Sequence, residues 1–388
     1  MALRKIGVFT GNRAEYGLLV PVLRALRDAS DLELQLFAGQ RDLVDESEGF
    51  PIAAIVPIDR ADASRASTSR AIGAGVLGIT EELVRHAPDI FVIYGDRFEA
   101  FAAMIASTQM GMPTAHIEGG DLTQGGTLDD VVRHAMTKLA HVHLATNPDS
   151  ANRIRQLGEE EWRIHNVGFP TLDLIREGDF TSPEETMATL GLTADRPLVI
   201  FTQHPITTSH ATAGQEIAAC LEALDRARQD LDAQIVATYP NSDLGSETII
   251  AALEAWAAER SDVVLRRSLG RRLYHGVLNL CGRVTNGVCA GNSSSGVKET
   301  AAFACPAINI GPRQAGRLAG DNVAHVPLEA DAIFSAMRRA LIDGTYRRAV
   351  AAAPNPYGEG DTGPRVTGLL GGIDLSDPRL LNKQTILP

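Results

Sequence analysis

Two stretches far apart in the chain share one order: a β-rich apolar run, a tight turn of small or polar residues, then a helical pattern. That repeat constrains the fold more than any other feature. Near the start it reads KIGVFTGNRAEYGLLVPVLRAL, with Gly11, Asn12 and Arg13 in the turn. Near residue 290 it reads VCAGNSSSGVKETAAFACPAINIG, where hydroxyl and glycine residues lead into a helix carrying Glu299. The first turn of a helix leaves backbone N–H groups unpaired and carries the positive end of the macrodipole, so each turn is a place for an anion such as phosphate. Neither is a dinucleotide fingerprint or a P-loop, because GNRAEYG lacks the GxGxxG spacing and NSSSGVKE lacks the lysine placement. Taken singly, each also reads as an ordinary strand-to-helix turn.

The alternation continues between these points. KIGVFT, LELQLFA, IAAIVPI, DIFVIYGD and PTAHIEGG alternate with the helical patterns LLVPVLRAL, VLGITEELVRH and FAAMIASTQM. The second half repeats it with RPLVIFTQH, EIAACLEALDRARQ, AQIVATYP, IIAALEAWAAE, VVLRRSL, CGRVTNG, VKETAAFA and PAINIG. Such alternation predicts βαβ units and parallel sheets, here two of one plan. With 388 residues the chain exceeds the ~250–300 at which single cores stop growing. The Gly-, Pro- and polar-rich stretch near residues 170–195 suits a linker. The expected division is an N-terminal domain over 1–175 and a C-terminal domain over 190–365. The segment 366–388 follows a turn-rich stretch that lets a last helix cross back. Ligands of parallel sheets bind outside the carboxyl ends of the strands, so two such sheets predict an interdomain cleft.

Composition narrows the partners. The chain is 44% hydrophobic and 22% charged, as in globular proteins with a large core, and no run approaches the ~20 apolar residues of a membrane span. MALRKIGVFTGNRAEYG meets a turn and charges too soon for a secretory signal, so it reads as a first strand and a cytoplasmic location is expected. A net charge of −12 argues against nucleic acid as a partner. The cysteines, Cys220, Cys281, Cys289 and Cys305, form no CxxC pair and read as buried reduced thiols. His134, His141, His143 and His210 lack metal-ligand spacing, so no metal is expected.

Chemistry should gather at strand ends. DIFVIYGDRFEA stops at Gly95 and delivers Asp96 and Arg97; Asp96 there is either a helix cap or a working carboxylate. PTAHIEGGDLTQGGTLDDVVRHAMTKLAH delivers His116 and Glu118, then a glycine-rich loop and a helix opened by Thr127, Asp129 and Asp130. Thr127 and Asp130 have capping-box spacing, so one aspartate is structural and the other is free to act. Carboxylates crowded near a cleft suit acid–base work on a sugar carbon, because repulsion and burial raise one pKa while another stays ionised. In the second half, RPLVIFTQHPIT delivers Gln203 and His204, a histidine able to donate to phosphate or hold a proton. INIGPRQAGR places Arg313 and Arg317 after a strand, where a guanidinium could pair with diphosphate or simply decorate a surface turn.

Together GNRAEYGLL, YGDR, HIEGGD with TLDDVVRHAMTK, QHPIT, NSSSGVKE, NIGPRQAGR followed by Asn322 and Val323, and NPYGEG resemble the hydrolysing UDP-N-acetylglucosamine 2-epimerases of sialic and legionaminic acid synthesis. The likeness runs from the first strand to about residue 365, and seven motifs in order are far more specific than any one. It implies a GT-B architecture of two Rossmann-like domains, with the nucleotide on the second and the sugar facing the first. It also implies loss of the C2 proton and the nucleoside diphosphate to give a 2-acetamidoglucal, then hydration to the free sugar inverted at C2. No cofactor and no metal are implied, and a homodimer is.

Carried over by position, Asp96, Glu118 and Asp129 match the catalytic carboxylates, while His204 and Arg13 match groups near the diphosphate. Ser294, Ser295 and Gly296 match the diphosphate loop, Glu299 the carboxylate that takes ribose hydroxyls, and Arg313 a diphosphate contact. The extra glycines before TLDD leave Asp129 or Asp130 open. Base and acid among the carboxylates, the nucleotide base and the C4 and C6 substituents also stay open. A non-hydrolysing epimerase of the same superfamily, which keeps the nucleotide, a GT-B glycosyltransferase and a nucleotide-sugar binding module without chemistry are the alternatives.

Overall fold

In a computed structural model the chain is described except for residues 1–2, 63, 123–127, 207–211, 242, 244 and 387–388, and the side chains of residues 14, 128 and 129. It divides into two compact units. The first comprises Met1–Asp121, Leu128–Leu174 and Tyr357–Pro388, and the second Leu122–Thr127 and Ile175–Pro356.

The first unit is built on seven parallel strands. They are β1 (Arg4–Thr10), β2 (Leu32–Ala38), β3 (Ile52–Ile55), β4 (Ile90–Tyr94), β5 (Thr114–Ile117), β6 (Val142–Ala145) and β7 (Ile164–Asn166), in the order β3-β2-β1-β4-β5-β6-β7. The chain winds outward from β1 to β3, crosses back to β4 and winds the other way. The reversal leaves a switch point between the carboxyl ends of β1 and β4. Helices cover both faces, which is why the central β4, IFVIY, is apolar and buried throughout rather than alternating. Ile6 and Val8 of β1 pack with Leu19, Leu23 and Leu26 of the helix Arg13–Asp28. Phe9 points the other way, into a core with Phe37, Phe91 and Met104. Asn12 caps the helix, its side chain accepting the Glu15 N–H at 3.0 Å.

A late segment completes this core. In the helix Thr362–Gly372, Val366 and Leu370 are fully buried, and each such side chain removed from water contributes about 1.5–3 kcal/mol. Gly363 sits where a Cβ would lie 2.7 Å from the Pro21 carbonyl oxygen, so only glycine lets this helix meet Arg13–Asp28 so closely. The Asp173 carboxylate accepts the Thr362 and Gly363 N–H groups at 2.9 and 2.7 Å, doing the work of an N-cap from elsewhere in the chain. Beyond it, the fully buried Arg163 donates to the carbonyls of His141 and Leu380 at 3.0 and 2.9 Å.

The second unit repeats the plan with β8 (Leu198–Thr202), β9 (Gln234–Thr238), β10 (Val263–Arg266), β11 (Gly287–Gly291), β12 (Ala307–Ile310) and β13 (Val323–Val326), all parallel, in the order β10-β9-β8-β11-β12-β13. Its core includes Val199, Phe201, Ile217, Leu224, Ile235, Leu253 and Met337. The switch point lies between β8 and β11, where Gly291 (φ 130°) approaches so closely that a Cβ would stand 1.9 Å from the Thr202 carbonyl oxygen.

Local outcomes differ from the sequence pattern in two places. CGRVTNG, part of the alternating series, forms no strand. Residues Leu280–Val284 instead make a π turn continuing the helix Gly270–Asn279, and Gly282 abuts the Phe303 carbonyl, where a Cβ would be 1.9 Å away. The helix expected to carry Glu299 is a single turn, Ser295–Lys298, followed by a 3-10 turn over Thr300–Phe303. Glu299 stands at the break.

Candidate active site

At the carboxyl ends of β4 and β5 in the first unit, an arginine organises the acids. The Arg133 guanidinium, 4% exposed, forms a buried ion pair with Asp96 and donates to Asp130 at 2.7 Å and to the Asp121 carbonyl at 2.8 Å. Burial opposes its charge, but Asp96, Asp121, Glu118 and Asp130 outweigh that and hold its pKa well above the ordinary guanidinium value. Glu118 accepts a hydrogen bond from the Tyr94 hydroxyl. Its backbone is in the left-handed region at φ 70°, which costs a non-glycine residue about 1–3 kcal/mol. Burial first, then the neighbouring carboxylates of Glu118, Asp121 and Asp96, push the Tyr94 hydroxyl pKa up, so it remains a donor.

Behind these groups the turn is stiffened by neutral residues. His116 is fully buried and meets the Gly95 carbonyl through Nε2 at 2.7 Å. Burial presses its pKa down to about 4, so near neutrality Nε2 carries the proton and donates. His116 therefore fixes the Gly95 turn rather than serving as an acid. Beneath Gly11, Glu15 accepts that residue's N–H at 3.1 Å, and the Glu99 side chain fills the space a Gly11 Cβ would need, at 2.5 Å. Burial, then the charge of Glu99, raises the Glu15 pKa to about 8. Glu99 is raised too, by burial, with Arg97 pulling the other way.

In the second unit the ends of β8 and β11 are stitched together by Asn292. Its carboxamide accepts the His204 N–H at 2.7 Å and donates to the His204 carbonyl at 2.8 Å. The Asn292 carbonyl is in turn held by Arg313 at 3.0 Å and Gln314 at 2.8 Å. His204 Nδ1 accepts the Asn241 N–H at 3.0 Å, leaving the proton on Nε2. Burial, then Arg313, drives the His204 pKa down to about 3. Of its two expected roles, donation to an anion fits this environment, and holding a proton near neutral pH does not. Ser295 Oγ bonds the Tyr274 hydroxyl at 2.7 Å and Ser293 Oγ at 3.0 Å, and Glu299 Oε2 lies 2.9 Å from His275 Nε2. Ser294 precedes the short helix without a side-chain cap, and Gly296 has only Cys289 Sγ near a hypothetical Cβ, at 3.6 Å.

Arg13 is not gathered into either cluster: its side chain is 74% exposed and pairs with Asp42 at 3.2 Å, a surface contact of little strength. Arg317 donates to the Leu122 carbonyl and to Gln314 Oε1 at 2.7 Å. The side chain of Asp129, Thr127 and His210 lie outside the described residues; of the aspartate pair, Asp130 is the one seen beside Asp96 through Arg133. Sequence reasoning passed over Arg133, Tyr94, Asn292 and His275. Arg133 carried a usable signal, its i,i+3 spacing from Asp130 on a helix. All four cysteines are buried and unpaired in disulfides. Among the described residues no His, Cys, Asp and Glu cluster could hold a metal, and no helix is long and apolar enough to cross a membrane.

Known proteins share the sequence pattern and the fold. The sequence profile described as UDP-N-acetylglucosamine 2-epimerase matches residues 24–371, and the chain belongs to that family. A Legionella pneumophila UDP-N,N'-diacetylbacillosamine 2-epimerase (hydrolyzing) is 33% identical over 98% of this chain and 99% of its own. A Neisseria meningitidis UDP-N-acetylglucosamine 2-epimerase is 31% identical over 93% and 92%. Among solved structures, the S. aureus MnaA–UDP complex superposes with a TM-score of 0.78 at 16% identity, covering 95% of this chain and 96% of that one. The Neisseria meningitidis epimerase bound to UDP-GlcNAc does so at 0.76 and 16%, covering 95% and 99%. The fold class is thus the GT-B type, two Rossmann-like parallel-sheet domains.

Proposed function

We propose that this chain is a hydrolysing 2-epimerase of a UDP-linked 2-acetamido sugar, UDP-N-acetylglucosamine or its 2,4-diacetamido-2,4,6-trideoxy analogue. It releases UDP and the free N-acetylmannosamine-type sugar that nonulosonic acid synthesis consumes. The observation that carries the reading is the Asp96, Glu118 and Asp130 cluster organised by Arg133 and Tyr94 at the carboxyl ends of β4 and β5. The full-length likeness to a relative named as hydrolysing supports the choice of branch.

A carboxylate of this cluster removes the C2 proton, and the freed electron pair forms the C1–C2 double bond as the C1–oxygen bond breaks. The diphosphate leaves with the bonding pair of that oxygen. Water then adds its hydroxyl to C1 while a proton returns to C2 from the opposite face, giving the inverted free sugar. The C2 proton is weakly acidic, so stabilising the departing charge matters most. In this reading the neutral Nε2–H of His204 and the loop Ser294–Gly296 receive the diphosphate, Arg313 adds positive charge, and Glu299 takes the ribose. The third carboxylate is Asp129 or Asp130.

The test is incubation with each UDP-sugar, and with GDP-linked forms, in deuterated water. Free sugar deuterated at C2 with released UDP supports the reading. Intact epimerised nucleotide-sugar would assign the non-hydrolysing reaction instead. Asp96→Asn and Glu118→Gln should each abolish turnover while UDP still binds; wild-type rates in either would remove that residue from the chemistry.

A further inference from the structure

Neighbouring residues on the helix Gly270–Asn279 hold two points of the serine loop: Tyr274 reaches Ser295, and His275 reaches Glu299. The second contact has a consequence for ligand choice. The helix Ser295–Lys298 is one turn long, and a turn of that length does not hold its own geometry in water. Glu299 caps that turn at φ −110°, its N–H bonded to the Ser295 carbonyl, and the backbone alone does not set the direction of its carboxylate. His275 does. Its ring is 2% exposed and fixed against Phe303 at 5.5 Å between centroids, and Phe303 is backed by Phe180 at 5.4 Å.

The His275 contact occupies Glu299 Oε2, while Oε1 accepts no hydrogen bond among the described residues. A carboxylate with one oxygen pinned by a buried donor and the other open is prepared to accept from a neutral hydroxyl. The geometry points to His275 as a positioning residue that aims Glu299 Oε1 at a ribose hydroxyl of the bound nucleoside diphosphate. This rests on the reading that Glu299 takes the ribose, and it makes His275 the residue that sets preference for ribose over deoxyribose.

Calorimetric Kd values for UDP and 2′,3′-dideoxy-UDP test it on the wild type, His275→Leu and His275→Gln. Wild type should prefer UDP by about 10- to 150-fold, the strength of hydrogen bonds to a charged group. His275→Leu should cut that ratio to about threefold or less, and His275→Gln, whose amide N–H stands near the Nε2 position, should keep most of it. A leucine variant that keeps the wild-type ratio overturns the assignment. Should that variant not fold, the wild type decides by nitrogen NMR: the His275 Nε2 resonance should move with UDP and not with the dideoxy analogue, and equal movement with both overturns the proposal. A wild type that binds neither ligand defeats the nucleotide reading and this inference together, whereas binding with an unaltered ratio defeats only the role of His275.

Discussion

Arg133 neutralises Asp96 across the gap between a helix and the end of β4, and the same guanidinium holds Asp130 at 2.7 Å. The acids of the candidate site are therefore arranged by a cation buried among them. Removing it should be costly in two separable ways. Arg133→Met leaves carboxylates without their partner, which should lower stability by about 3–5 kcal/mol in urea unfolding. Arg133→Lys should recover part of the stability but not the two-pronged geometry, so its kcat should stay well below wild type. Equal kcat in the lysine variant would show that charge alone suffices.

Tyr94→Phe removes only a hydroxyl. The loss of a buried donor to Glu118 should cost about 1–3 kcal/mol in stability. With Glu118 less firmly aimed, kcat should fall about 10- to 100-fold while the Kd for UDP stays unchanged. A change confined to UDP affinity would contradict this.

Glu15 makes stability depend on pH. Its folded pKa of about 8 lies above the ordinary 4.5, so the native state keeps a proton that the unfolded chain releases. The resulting stabilisation is complete below about pH 4.5 and is lost as pH rises through about 8. Glu15→Gln should abolish that loss, a difference on the order of a few kcal/mol between wild type and variant in the pH dependence from 6 to 9. Parallel stability curves for the two proteins would refute it.

His204 should be silent as an acid. With its pKa pressed to about 3, it stays neutral through the range where most histidines titrate. The pH profiles of kcat/KM for wild type and His204→Gln should share one shape between pH 5 and 8, with the variant lower throughout. A limb near pH 6.5 that disappears in the variant would assign His204 a proton-transfer role.

Gly291→Ala should destabilise the second unit by more than about 3 kcal/mol, because both the φ of 130° and the Thr202 carbonyl exclude a side chain. Circular dichroism melting would read it directly. Gly296→Ala is the control, since its nearest neighbour, 3.6 Å from a hypothetical Cβ, leaves room for a methyl group.

Strands buried on both faces are legible because their apolar runs end abruptly, and those endings also placed Asp96, Glu118 and His204 at the sheet edges. Tyr94 was hidden for the same reason: as the last residue of an apolar run it resembles any core aromatic, and only its hydroxyl contact sets it apart. Arg133 lies inside a helical pattern whose period fixes which face it occupies but not which acid it meets, and the helix Gly270–Asn279 that carries His275 was not read from the sequence. The length of the helix before Glu299 was equally opaque. It is decided by Thr300, whose hydroxyl donates to the Gly296 carbonyl at 2.7 Å, and by the left-handed Ala304.

The helix Thr362–Gly372 gives the first unit an unusual order of completion. Residues from Tyr357 onward leave the ribosome after all of Ile175–Pro356, yet they supply Val366 and Leu370 to the core around β1 and anchor Arg4 through the carbonyls of Leu370 and Gly371 at 2.5 and 2.6 Å. The half synthesised earliest is thus the half finished last. During translation its core around β1 waits for Val366 and Leu370 while its successor is free to fold, which leaves nascent chains stalled before Tyr357 exposed to aggregation.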